Sequence, residues 1–137
     1  MFSAFVLKTP DAQNTGTENN TTSMIEAYSF GRIKIKGKLY TRDIQINSQG
    51  SILPDWQRQK GHIVEKEDVI NILDSDTSLL ILGKGQPGMM KASENLKKHL
   101  ENNQIKLVEK PSLQAAELVN QLVKEKKSFA AGFHLTC

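Results

Sequence analysis

Apolar positions along this chain follow three spacings, and each predicts a different kind of element. From Thr9 to Ser23 (TPDAQNTGTENNTTS) large apolar residues are almost missing, so ordering that stretch would cost entropy that little burial could offset. Residues 1–24 are therefore expected to be a disordered tail, with one folded domain over 25–137. From Arg32 to Lys36 the run RIKIK alternates basic and apolar residues, and Asp43-Ile44-Gln45-Ile46 alternates again after the Gly37-Lys38 turn. This period of two predicts an antiparallel hairpin in which Ile33, Ile35, Ile44 and Ile46 share the buried face. Ile52 to His62 mixes polarity and holds one Pro and one Gly, which reads as an irregular or edge segment.

The second half alternates strand and helix signals. Glu65, Glu67 and Asp68 precede Val69, Ile70 and Leu73, the order expected at the start of a short helix. Leu79-Leu80-Ile81-Leu82 is an unbroken apolar run too short for a helix, and predicts a strand covered on both faces at the centre of the sheet. Met89, Ala92, Leu96 and Leu100 recur at helical spacing, Ile105–Val108 supplies the next strand, and Leu113, Ala116, Val119, Leu122 and Val123 form the stripe of another helix. Phe129–Leu135 completes the set. Three strands joined by two helices imply parallel pairing through right-handed crossovers. The expected class is α/β, with an N-terminal β-hairpin followed by βαβαβ in a mixed sheet of about five strands.

Composition narrows the partners. A chain of 137 residues can bury a hydrophobic core without disulfides or metal. The net charge of +3 comes from 18 basic and 15 acidic residues that are interleaved, and Phe30, Tyr40 and Trp56 lack the spacing of a base-stacking platform, so nucleic acid is disfavoured. Cys137 is the single cysteine; no disulfide can form within the chain, which favours the cytosol. Met1–Leu7 is apolar but too short to span a membrane, and no membrane insertion is expected.

Gly83-Lys84-Gly85-Gln86-Pro87-Gly88 matches G-x-G-x-x-G between a predicted strand and a predicted helix, and Glu109 follows where a ribose contact would lie. A helix N-terminus with glycines and a lysine suits an anion, which makes Gly83, Lys84, Gly85, Gly88 and His134 candidate ligand-binding residues. The chain has no room for the second half of a dinucleotide site. Gly and Pro also serve any tight strand-to-helix turn, and that plain reading is favoured. Met89 and Met90 stand where a nucleoside-triphosphate loop needs Lys and Ser or Thr, which excludes that chemistry.

Other constellations are sparser. His134 and Cys137 fall at the same expected sheet edge as the loop, but two ligands make no tetrahedral metal site, and neither a metal nor a cofactor is expected. A thiol activated by imidazole is a weaker reading than a structural histidine beside a terminal cysteine. Asp55, Trp56, Arg58 and His62 gather an acid, an aromatic, a base and an imidazole in one irregular segment. Trp and Arg are favoured anchors of protein contacts. The alternative is a Trp that covers the core among solvated neighbours.

Ser29-Phe30-Gly31 leading into IKIKG, Asp55-Trp56, His62, the LLILGKG strand and turn, and Phe133-His134-Leu135-Thr136-Cys137 occur in one order. Together they resemble the adipogenesis-associated Mth-like domain family, small proteins related to a mitochondrial assembly factor for respiratory complex I. The resemblance covers roughly Tyr28 to Cys137. It implies a three-layer Mth-like domain on a mixed sheet, no established reaction, and a role as a non-enzymatic interaction or assembly module. The expected partner is accordingly an unidentified protein, with a small anionic ligand or enzymatic use of the Gly83–Gly88 loop as the alternative.

Overall fold

The computed structural model of the chain describes residues 5–6 and 23–137. The expected tail falls largely outside them. Within it, β1 (Phe5–Val6) pairs antiparallel with β2 (Ile25–Ser29), and Met24 is buried in the core. The other strands are β3 (Arg32–Ile35), β4 (Lys38–Tyr40), β5 (Ile44–Ile46), β6 (Ile52–Leu53), β7 (Ile63–Val64), β8 (Leu79–Gly83), β9 (Lys91–Ala92), β10 (Lys106–Lys110) and β11 (Ala130–Phe133). Three helices, α1 (Lys66–Val69), α2 (Glu94–Asn102) and α3 (Ser112–Lys124), lie between them, and a single 3-10 turn over Ile70–Ile72 follows α1.

The main sheet has the order β10-β8-β11-β5-β6. Its first three strands are parallel, as βα crossovers require. β5 runs antiparallel to β11, and β6 antiparallel to β5. The expected mixed five-stranded α/β architecture is therefore present. Because β8 is buried on both sides, Ile81 faces one core while Leu80 and Leu82 face the other. It lies inside the sheet, but the central place belongs to β11.

The expected hairpin between 32–36 and 43–46 does not form. β3 pairs with β2 and β4 in a separate antiparallel sheet, ordered β1-β2-β3-β4, while β5 joins the main sheet beside β11. Lys36 and Gly37, both at positive φ, fold β3 straight back onto β4. All four isoleucines still meet in one core, because the small sheet and α3 cover the same face of the main sheet. The opposite face is covered by Trp56, α1 and α2, giving three layers.

The helix expected from Met89 onward also starts later. Lys91–Ala92 is β9, which pairs in parallel with β7, and α2 opens after Ser93, whose Oγ accepts from Leu96 N at 3.0 Å. The spacing of Met89 and Ala92 imitates a helical stripe, yet Ala92 is buried from a strand and Met89 is 55% exposed. No helix among the described residues is long and apolar enough to cross a membrane.

Candidate functional site

Four stretches distant in sequence converge at the carboxyl end of β11. They are Asp43 at the entry to β5, the 56–62 segment, the 83–89 loop after β8, and His134–Cys137. Gly132 in β11 makes the first contact possible. A Cβ there would sit 2.7 Å from the indole of Trp56, so the small residue lets the tryptophan lie close against the sheet. Trp56 is 8% exposed, with its main-chain N donating to Asp43 O at 2.8 Å and Nε1 to Asp68 O at 2.9 Å. The indole lies over the core.

On that indole rests Arg58, with its guanidinium carbon 4.5 Å from the ring centroid. Arg58 Nε donates to Gly61 O at 3.0 Å, and Nη2 donates to Asp43 Oδ2 at 2.9 Å. His134 Nδ1 lies 2.8 Å from the same oxygen, while Leu135 N donates to Asp43 Oδ1 at 2.8 Å. Burial pushes the Asp43 carboxyl up; the bonds from His134, Leu135 N and Arg58, with the field of the imidazole, outweigh it and hold the group below its ordinary value. An ionised carboxylate can only accept, so Nδ1 of His134 carries a proton and Nε2 faces away from Asp43. The exposed His62 meets the His134 ring edge-on, with centroids 5.3 Å apart.

Two nitrogens of this cluster, Arg58 Nη1 and His134 Nε2, are buried and have no hydrogen-bond partner among the described residues. Their neighbours are fully engaged. Ser112 Oγ donates to His134 O at 2.6 Å and accepts from Gly85 N at 2.9 Å. The Tyr28 hydroxyl donates to Leu135 O at 2.9 Å, and burial raises its pKa to about 12.

The glycine-rich loop grips the chain's own C-terminal residues. Gln86 N donates to Thr136 O at 2.9 Å and Met89 N to Cys137 O at 3.2 Å, while Lys84 N continues the ladder to Lys110 O at 2.8 Å. Gly85, at φ +94, has no space for a side chain: a Cβ would stand 2.0 Å from Thr136 O and 2.9 Å from His134 Cδ2. Gly83 is similarly crowded by Phe133 and Ser112, and Gly88 has φ +117. The loop does not open a helix, because β9 intervenes before α2, so the helix-terminal field assumed for Gly83, Lys84, Gly85 and Gly88 is missing. Glu109 Oε2, considered for a ribose, accepts from Ala92 N at 2.7 Å.

Members of the two separately proposed sites, Gly83 and Gly85 from one and Arg58 and His62 from the other, thus meet at His134. His134 stands against Gly85 on one side and against Arg58 and His62 on the other. Asp55 does not join them; it is exposed, with a 4.0 Å contact to Arg42. Cys137 is exposed and free, and no group of three His, Cys, Asp or Glu among the described residues could hold a metal. Sequence reasoning does not find Asp43, Asp68 or Ser112. Asp43 passes as the polar member of an alternating strand, Asp68 as a first-turn acid and Ser112 as a helix opener, and nothing local separates these roles from site chemistry.

Comparison with known proteins places this architecture. A family model described as "Protein of unknown function (DUF498/DUF598)" matches residues 25–134. The chain is similar to the solved conserved hypothetical protein PH1505 of Pyrococcus horikoshii OT3, at 30% identity and TM-score 0.69, covering 82% of this chain and 98% of that one. A Bartonella henselae outer membrane protein gives 21% identity and TM-score 0.72, with 84% and 96% covered. A Mth938-like domain protein of Bordetella pertussis, solved in solution by NMR, gives 13% and 0.69, with 90% and 92% covered. These last two likenesses speak to the fold alone. No curated protein sequence matches. With most of its length matched and the same three-layer architecture around the mixed sheet, the chain belongs to the DUF498/DUF598 family and carries the Mth938-like fold that the resemblance implied.

Proposed function

We propose that this chain is a non-enzymatic recognition module that acts in the cytosol and holds a protein partner on the face made by the 56–62 segment, the 83–89 loop and residues 134–137. The observation that carries the reading is how the cluster's polar groups are spent. Asp43 accepts from Arg58, His134 and Leu135, while Ser112 and the loop amides bond to main chain, so the groups brace four stretches into one rigid surface. Asp43 and His134 stand to each other as the orienting acid and the base of a hydrolytic triad do. The nearby hydroxyl, Ser112 Oγ, is committed to His134 O, which favours a buttress over a nucleophile. Around the braced centre the surface offers His62, Gln86 and Met89, the last 55% exposed, and a flexible thioether suits a protein contact. An assembly role, in which this face holds a partner until its other contacts form, is the form favoured by the family resemblance.

The test uses the full-length chain as bait, with reciprocal purification of any captured partner. Met89→Glu and His62→Glu are expected to weaken capture at least about tenfold, the effect of losing one well-packed contact. Capture unchanged in both variants, or no reproducible partner, rejects the reading.

A further inference from the structure

We infer that Arg58 and His134 together form a carboxylate-binding site at the centre of this face. The inference rests on the reading of the face as a recognition surface, and names what that surface recognises. Its basis is the donor inventory. The Arg58 and His134 side chains are 6% and 9% exposed, and Arg58 Nη2 is 3.3 Å from His134 Nδ1, so the guanidinium and the imidazole are immediate neighbours. Asp43 engages one nitrogen of each group. What remains is Nη1, whose hydrogens need an acceptor, and Nε2, likewise without a partner among the described residues. Leaving such groups unpaired is unfavourable, so each calls for a partner that completes it.

A carboxylate with one proton matches this inventory. One oxygen accepts from Nη1, and the proton lies between the second oxygen and Nε2, whether it is counted on the acid or on the imidazole. Charge agrees as well. Asp43 cancels Arg58, and a bound carboxylate cancels the imidazolium that forms with it. The charged groups around the imidazole are Asp43 from the entry to β5 and Arg58 from the 56–62 segment, with the titratable His62 beside it; the loop meets it with the uncharged Gly85. Phosphate fits less well, because the Lys84, Gly85, Gln86 and Met89 amides that would cradle its extra oxygens already donate to Lys110, Ser112, Thr136 and Cys137. His62, exposed and edge-on to His134, is the solvent-facing side chain next to the pair.

Sodium acetate is the probe, titrated into the full chain at about pH 6 with sodium chloride as the ionic-strength control, while long-range 1H–15N spectra follow the histidine ring nitrogens. The expected result is a saturable shift of His134 Nε2 with a Kd on the order of millimolar. Affinity should weaken by up to about tenfold per pH unit as the linked proton is lost. Arg58→Lys, which keeps the charge but not the fork, and His134→Gln should each weaken binding about tenfold or more; backbone spectra show whether either variant is folded. A short peptide with a free C-terminus, run beside its amide, separates a partner-borne carboxylate from a free organic acid. Saturable binding of the peptide acid that exceeds that of acetate and of the peptide amide assigns the site to a protein chain end, and binding of acetate without the peptide acid assigns it to a small acid. If His134 Nε2 in the wild-type chain responds to neither probe beyond chloride up to about 100 mM, water alone satisfies the two nitrogens and the inference is overturned. That failure is distinct from failure of the recognition face, since partner capture sensitive to Met89→Glu would survive it.

Discussion

Replacing Asp43 with Asn tests whether the buried cluster holds the domain together. The carboxylate accepts three hydrogen bonds, from Arg58 Nη2 at 2.9 Å and from His134 Nδ1 and Leu135 N at 2.8 Å each. Asparagine keeps an oxygen for Leu135 N but turns an amide toward the two nitrogen donors. It also leaves the Arg58 charge buried, with a side chain 6% exposed, and without its anion. Losing one partner of a buried ion pair costs about 3–5 kcal/mol. Out of the roughly 5–15 kcal/mol typical of a domain, the variant should fold but be much weakened. Arg58→Met leaves Asp43 with the His134 and Leu135 bonds, and should cost less, about 1–3 kcal/mol. In the double variant no charged guanidinium is stranded, so the two costs should fall short of additivity by about 1–3 kcal/mol. Urea unfolding followed by fluorescence of Trp56, the single tryptophan, measures all four corners of the cycle. With a slope of about 1–3 kcal/mol per molar, Asp43→Asn should lower the midpoint by about 2 M. A loss under about 1 kcal/mol, or strict additivity, would falsify the account of Asp43 as the anion that neutralises a buried Arg58.

Three further outcomes follow from the same geometry. Because the Asp43 carboxyl titrates below its ordinary value of 3.8, its stabilisation is present above that value and is lost as pH falls through the folded-state pKa; the urea midpoint should drop in acid, less so in Asp43→Asn, and equal drops would contradict this. Gly85→Ala combines positive φ with a Cβ 2.0 Å from Thr136 O, so it should cost about 2–4 kcal/mol and speed hydrogen exchange at Gln86 N and Met89 N; unchanged exchange would count against the loop as a clasp. Gly132→Ala should cost about 1–3 kcal/mol through its clash with the six-membered ring of Trp56, and less in a Trp56→Phe background; identical costs in the two backgrounds, compared by thermal unfolding, would mean the indole is not the obstacle.

The strands and helices of the second half are legible because burial on two faces and burial on one leave different spacings. Leu79–Leu82 and the Leu113–Val123 stripe show that difference directly. What alternation records is which residues face a core, and it does not say which strand lies alongside. The isoleucines of β3 and β5 therefore look like one hairpin although they enter one core from two sheets. Met89 and Ala92 show the converse error, since apolar spacing alone places a helix where Ser93, a good capping residue, marks the true start. The site is half legible. Trp56, Arg58, His62 and His134 stand out by residue type, but their meeting point does not, because Asp43 carries no local mark and the contact that joins it to His134 spans 91 residues.

That span also sets an order of events. β8, α2 and β10, and then α3 and β11, are joined by short connections that can close early, whereas the Asp43 cluster needs the β5 region and the residues after β11 to be in place together. Closing such a distance adds an entropic cost that the cluster's own bonds begin to offset only when both ends have arrived. The cluster is therefore a late lock on a nearly finished chain. Substitutions in it should leave the folding rate almost unchanged and show their effect as faster unfolding, so the lifetime of the folded domain depends on this cluster more than its rate of formation does.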